Sequence, residues 1–273
     1  MADTNHLLRE HAPIPTRAWA AIDDEARSRL TPLLAARRVA DWVGRGSWRH
    51  DRMTLGRVTD LGGPPPGVSA PSAVTRQRRV LPLAEVAVPF TVRRREIDDI
   101  QRGALDADLA DLDRAAREAA AIETRTVFHG WPAAGIGGIA QESSHPMTPL
   151  GDDCARYPTV AASAVDRMRR RGVDGPYALA VTPDVYTRIA ETTEHGGYPL
   201  FEHLTHVLGG PVVWAPGVDV GFVVSLRGGD FLLDVGQDLA IGYSHHDADV
   251  VHLYLEETLA FRVVEPEAAV VLS

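Results

Sequence analysis

The chain has 273 residues, 45% of them hydrophobic and 24% charged, a globular mix for one large domain or two smaller ones. Its net charge of −9 argues against a dedicated nucleic-acid binder, whose affinity rests on neutralising phosphates. All 28 basic residues are arginine, which excludes a P-loop lysine, a Schiff-base lysine and a pyridoxal phosphate site.

In chain order, "TRAWAAIDDEARSRL" predicts an amphipathic helix, with Thr16 as N-cap and Trp19, Ile22, Ala26 and Leu30 at helical spacing. Pro32 then interrupts or restarts it. From Trp42 to Arg79 the pattern gives way to glycine, proline and arginine, including "LGGPPPGVSAPS", which predicts an extended arm or hairpin leaving the body. Arg79 to Val92 is strand-like, with Pro82 and Pro89 marking edges or bulges. The longest helix is expected over about Asp108 to Phe128, one face kept apolar by Leu105, Leu109, Leu112, Ala116, Ala119 and Val127. The runs Arg93 to Arg95 and Arg169 to Arg171 read as solvated faces or subunit contacts.

Beyond a loop-rich connection, helix and strand alternate. "TVAASAVDRMRRRG" and "PDVYTRIAETTEHGG" are helical, whereas "PYALAVT", "PVVWAP" and "GFVVSLRG" are strands. Val251 to Val263 alternates apolar positions, with Glu257 the exception, and at about 3.3 Å per residue such a strand exceeds 40 Å. The whole is α+β with an extended arm.

Candidate chemistry is sparse. "GQDLAIGYSHHDADVVH" gathers His245, His246 and His252 with Asp247 and Asp249, a composition that suits a metal, but adjacent strand residues point to opposite faces. A solvated turn is the favoured reading. "AAGIGGI" lacks the preceding strand that a dinucleotide-binding turn requires. Neither Cys154 nor Ser143–Ser144–His145 matches a nucleophile signature. No apolar run approaches the roughly 18–20 residues of a membrane span, no signal peptide is read, and the single cysteine forms no intrachain disulfide; together these point to the cytoplasm.

The stretches "LLREHAPIPTRAWAAIDDEARSRL", "RRVAD", "VLPLAEVAVPFTV", "EIDDIQRGALDADLADLDRAARE", "DGPYALAVTPDVY", "GGYPLFEHL", "RGGDFLLDVGQDLAIGY" and "LYLEETLAFRVVEPEA" together resemble an encapsulin shell protein. The resemblance covers nearly the whole chain and implies the Hong Kong 97 bacteriophage-type capsid fold. It implies an N-terminal helix and arm over 1–43, an extended loop over 44–79, a peripheral domain with its spine helix over 80–129, an axial domain over 130–227, and a return to the peripheral domain over 228–273. On this resemblance the chain is no enzyme but a self-assembling icosahedral shell, the smallest shell being favoured, and the long arm and over-long strand serve its closure. Without lysine the shell cannot be welded by lysine–asparagine isopeptide bonds.

The resemblance further implies a cargo enzyme, similar to a dye-decolourising peroxidase or a ferritin-like iron oxidase, whose C-terminal peptide docks on the inner wall. The residues carried over are Leu30, Leu33, Arg37, Asp41, Asp238, Leu239 and Ile241, with Arg37 and Asp41 as the polar pair. An internal i,i+4 contact between those two is the plainer alternative. Glu194, His195, Gly196, Gly197 and Tyr198 are expected to line a pore, glycine letting backbone approach the axis. Some family members stack flavin on a tryptophan of the extended loop; Thr75 stands at that position, so no cofactor is expected. A secreted bacteriocin or protease and a DNA-packaging prophage capsid are the other classes in view. The first lacks a leader and a catalytic constellation, and the acidic balance disfavours the second.

Overall fold

The computed structural model describes residues 4–44, 47–194 and 196–273. Helix α1 (Thr16–Leu33) buries Ala18, Ile22, Ala26 and Leu30, one residue per turn along a single stripe. Thr16 is its first helical residue rather than its cap, and Pro15 holds the extended cap position. Pro32 lies in the last turn, and the helix ends one residue later. A 3₁₀ turn over Ala36–Arg38 then leads to β1 (Asp41–Trp42).

Strands β2 (Arg52–Asp60) and β3 (Arg76–Pro82) pair with each other as the expected hairpin. Strand β4 (Ala84–Arg93) follows, its Val86, Val88, Phe90 and Val92 buried in alternation. The arginine run, expected as a solvated face or subunit contact, instead opens helix α2 (Arg94–Arg102), whose buried side is Ile97 and Ile100. Helix α3 (Ala110–His129) begins later than the periodicity suggested, because Leu105 stands outside it and is 99% exposed.

The next segment carries α4 (Ile139–Glu142), α5 (Tyr157–Arg170), β5 (Tyr177–Val181), α6 (Pro183–Glu191), α7 (Leu200–Leu208), β6 (Val212–Trp214) and β7 (Gly221–Ser225). Helix α7 is an addition to the expected elements, with Leu200, Leu204 and Leu208 as its buried stripe. After β8 (Phe231–Val235), β9 (Ala240–His246) and β10 (Val250–Val263), the chain closes with β11 (Ala269–Leu272).

Two main sheets result. In the second, the order is β11-β7-β5-β6, with β5 parallel to β6 and antiparallel to β7. The first is organised around β10, which pairs with β4 along Val250–Leu259 on one side. Its other side is covered by β9 along Val251–Glu256 and then by β8 along Leu259–Val263. Two short strands laid end to end therefore occupy one edge of β10. The length of β10 has this cause within the chain, so closure of a shell is not needed to explain it. The 228–273 segment is divided as well: β8 to β10 belong to the first sheet, whereas β11 pairs with β7 in the second.

Candidate binding groove

Helix α1 and the turn between β8 and β9 face each other across a groove of about 440 Å³. Ala26, Leu30 and Leu34 form one wall, and Leu239, Ile241 and Leu255 the other. The mouth is polar. Arg9 makes a two-pronged bond to Asp23, at 3.1 and 2.7 Å, and its guanidinium covers the Trp19 ring at 3.9 Å. Arg27 donates to Asp24 at 2.9 Å.

The turn carrying Asp238 is locked onto β10. Gly236 and Gln237 donate their backbone N–H groups to the carbonyl and hydroxyl of Thr258, at 3.0 and 2.7 Å. Gly236 must be glycine here, since a Cβ would lie 2.7 Å from Thr258 Oγ1 and 2.8 Å from the His50 carbonyl oxygen.

Arg37 closes the inner end. Its Nε donates to Glu123 Oε2 at 2.7 Å, and its Nη2 lies 2.8 Å from Glu257 Oε1 and 2.9 Å from Asp238 Oδ1. The Glu123 and Glu257 side chains are 0% and 2% exposed, whereas Asp238 is 53% exposed. Burial alone would pull the Arg37 guanidinium down, but Glu123, Glu257 and Asp238 outweigh it and raise it. Burial pushes the Glu257 carboxyl well above its ordinary range, reinforced by Glu123, and raises Glu123 against the opposing pull of Arg37. The Trp42 ring lies against the guanidinium, 4.7 Å from its centre.

Of the residues expected to act together, Leu30, Arg37, Asp238, Leu239 and Ile241 line this groove. Leu33 packs half-buried against the core, outside the lining. Asp41 faces a separate cavity of about 170 Å³ and accepts the Gly229 backbone N–H. The contact between Arg37 and Asp41 is not formed, because Arg37 is held by three carboxylates from elsewhere in the chain. Glu123 and Glu257 were not anticipated as partners. Glu257 did leave a signal, as the polar break in the alternation of β10.

The loop after α6 is pinched by a bridge between Thr193 and Pro199, and Glu194 donates its N–H to the Tyr198 carbonyl at 2.8 Å. Gly196 and Gly197 turn at φ 96° and 81°. The Glu194 carboxylate does not project freely, for it meets His203 Nδ1 at 2.8 Å, with the exposed Tyr198 ring edge-on to that imidazole. His195 lies outside the described residues. In the histidine-rich segment, His245 and His252 are cross-strand partners stacked at 4.1 Å, and the Asp247 carboxylate accepts from Asp249 and Val250 to close the turn. Among the described residues no group of three or more His, Cys, Asp or Glu converges on a metal position, and no helix is long and apolar enough to cross a membrane.

The profile of a family described as "Encapsulating protein for peroxidase" matches residues 4–260. A type 1 encapsulin shell protein of Rhodospirillum rubrum is 48% identical over 269 residues, 98% of this chain and 96% of that one. The type 1 encapsulin shell protein of Mycobacterium tuberculosis is 43% identical over the same length, covering 98% and 99%. A segment of 100 residues, 36% of this chain and 29% of the other, is 29% identical to a ferritin-like–encapsulin shell fusion protein of Pyrococcus furiosus. Among solved structures, a virus-like particle from Pyrococcus furiosus superposes with a TM-score of 0.64 at 17% identity, over 94% of this chain and 98% of that one. The capsid of an empty GTA particle follows at 0.53 and 15%, covering 88% and 89%. These two likenesses carry the fold, an α+β capsid fold of the Hong Kong 97 type.

Proposed function

The chain belongs to the type 1 encapsulin shell proteins, which build self-assembling shells, and we propose that its own shell is a container for a cargo enzyme rather than a catalyst. The cargo is a peroxidase or a ferritin-like protein, by the chemistry named for the matching family and for the fusion relative. Its C-terminal peptide docks in the groove between α1 and the Asp238–Ile241 wall. The observation that carries this reading is the groove itself, a trough walled by aliphatic side chains and closed by the Arg37 cluster. An extended peptide fits such a trough by placing apolar side chains against Leu30, Leu239 and Ile241.

The Asp41 and Leu33 side chains lie outside that docking site, and the loop over Glu194–Tyr198 lines a passage for small substrates. No flavin site is assigned to the hairpin. Thr75 Oγ1 is committed to Gly63, donating to its carbonyl at 2.7 Å, and presents no aromatic face. The compartment is the bacterial cytoplasm.

The test is co-expression of the shell with green fluorescent protein carrying the C-terminal tail of the host's dye-decolourising peroxidase. Fluorescence is expected to co-elute with hollow particles, and the half-buried wall substitution Leu239→Asp to abolish it while particles still form. Equal fluorescence in wild-type and Leu239→Asp shells would remove the groove from this role.

A further inference from the structure

Beneath the groove lie two carboxyls that its walls do not require. Glu123 comes from α3 and Glu257 from β10, and both meet Arg37, at 2.7 and 2.8 Å. The second oxygen of Glu123, Oε1, is buried and receives no hydrogen bond from any described residue when both carboxyls are counted as ionised. A buried carboxylate oxygen left without a donor is strongly disfavoured. Two ionised carboxylates in the core, with Asp238 beside them, would also set three negative charges against a single guanidinium. One proton resolves both difficulties.

We propose that Glu123 and Glu257 share one proton beneath the groove, and that this proton holds Arg37 and the Asp238 carboxylate in the geometry that receives the cargo peptide. The second half rests on the groove being the cargo site. Glu123 Oε1 is the oxygen that lacks a donor, so Glu257 carries the proton and Glu123 accepts it. The charged groups that face the pair are Arg37, from the turn after α1, and Asp238, from the turn after β8.

With the proton in place, Arg37 neutralises Glu123, and the remaining negative charge sits on half-exposed Asp238. When the proton leaves, a second full charge appears in the core. Asp238, half-exposed on its pinned turn, is the member whose side chain can swing to water, and Arg37 then loses its partner at the inner end of the groove. The folded chain holds this proton at a pH where the unfolded chain has released it, so stability and docking both fall as pH rises through the folded value.

Shells loaded with the fluorescent reporter are titrated from about pH 6 to about pH 10, above the ordinary carboxyl range. Retained fluorescence is read after gel filtration, and infrared spectra are recorded at neutral pH. Wild-type shells are expected to lose reporter on the alkaline side and to show a protonated-carboxyl band. In Glu257→Gln the amide donates to Glu123 in the proton's place, so retention becomes independent of pH and that band disappears from the difference spectrum. Glu123→Gln removes the charge conflict and is read in the same way should Glu257→Gln fail to assemble. An unchanged carboxyl band in the Gln variants, or an alkaline loss that persists in them, overturns the shared proton. Shells that retain no reporter at any pH sink the cargo reading instead, and the infrared comparison then decides the proton alone.

Discussion

Arg37 and Asp41 stand four residues apart and are held by different partners, Arg37 by Glu123 at the inner end of the groove and Asp41 by the backbone N–H of Gly229. The two therefore fail differently when truncated. Asp41→Ala removes one hydrogen bond to an exposed glycine turn and costs about 1 kcal/mol, with reporter loading unchanged. Arg37→Ala leaves Glu123 and Glu257 buried without their counter-charge, at about 3–5 kcal/mol. Thermal melting of the two variants separates these outcomes, and equal loss of stability would show that Arg37 is not the keystone of the cluster.

The hairpin of β2 and β3 presents an unpartnered face. Val58 lies opposite Arg78 and Thr54 opposite Val80, so Val58, Arg78 and Val80 share one side, and both valines are exposed. A monomer gains nothing from a projecting face of this kind, whereas a shell subunit buries it against a neighbouring copy. Val58→Asp combined with Val80→Asp is expected to leave the circular dichroism spectrum intact and to abolish closed particles in electron micrographs. Normal particles from this variant would mean that the face stays solvated in the shell.

Asp111 pins the start of α3 to the edge strand β4. Its Oδ2 accepts from the Thr91 N–H at 2.7 Å and from the Thr91 hydroxyl at 2.9 Å. Burial works against the charge, but these bonds and Arg114 hold the carboxyl below its ordinary value. A carboxyl depressed in this way stabilises the fold above the unfolded pKa, near 4, and the contribution is lost as pH falls through the lower folded value. Asp111→Asn is expected to lower the melting temperature by about 2–4 °C at neutral pH, corresponding to about 1 kcal/mol. The gap to wild type should close in acid; a gap that persists there would point to packing rather than charge.

The parts legible in the sequence are those whose signal is local. Helix α1 declared itself through Ile22, Ala26 and Leu30, and β10 through its alternation from Val251 to Phe261. Leu105 misled because an apolar residue next to a helical stripe looks like part of it, yet the chain turns before α3 begins. Helix α2 was hidden because three consecutive arginines mask a face of just two isoleucines. Half of the groove came from the family resemblance, through Leu30, Arg37, Asp238, Leu239 and Ile241. The partners of Arg37 could not be read locally, since they lie 86 and 220 residues away and are chosen by the packing of α3 against β10. The length of β10 likewise made sense only once β9 and β8 were seen to share its edge.

Gly236 offers the sharpest probe of how the groove wall is held. Its φ is ordinary, so a side chain meets no backbone strain; the obstacle is space alone. An added Cβ would press on Thr258 Oγ1, the His50 carbonyl oxygen and Leu83 Cδ2, at 2.7, 2.8 and 3.0 Å. One of these atoms fixes the Asp238 turn directly, because Thr258 Oγ1 is the acceptor for Gln237 N–H. Gly236→Ala must displace the turn from β10, at a cost of about 1–3 kcal/mol. Since Asp238 and Leu239 follow directly, the displacement moves the groove wall. Reporter loading should therefore fall several-fold in Gly236→Ala shells, even under conditions where melting shows them folded. Full loading at wild-type level would show that the wall is positioned by β9 and not by the turn.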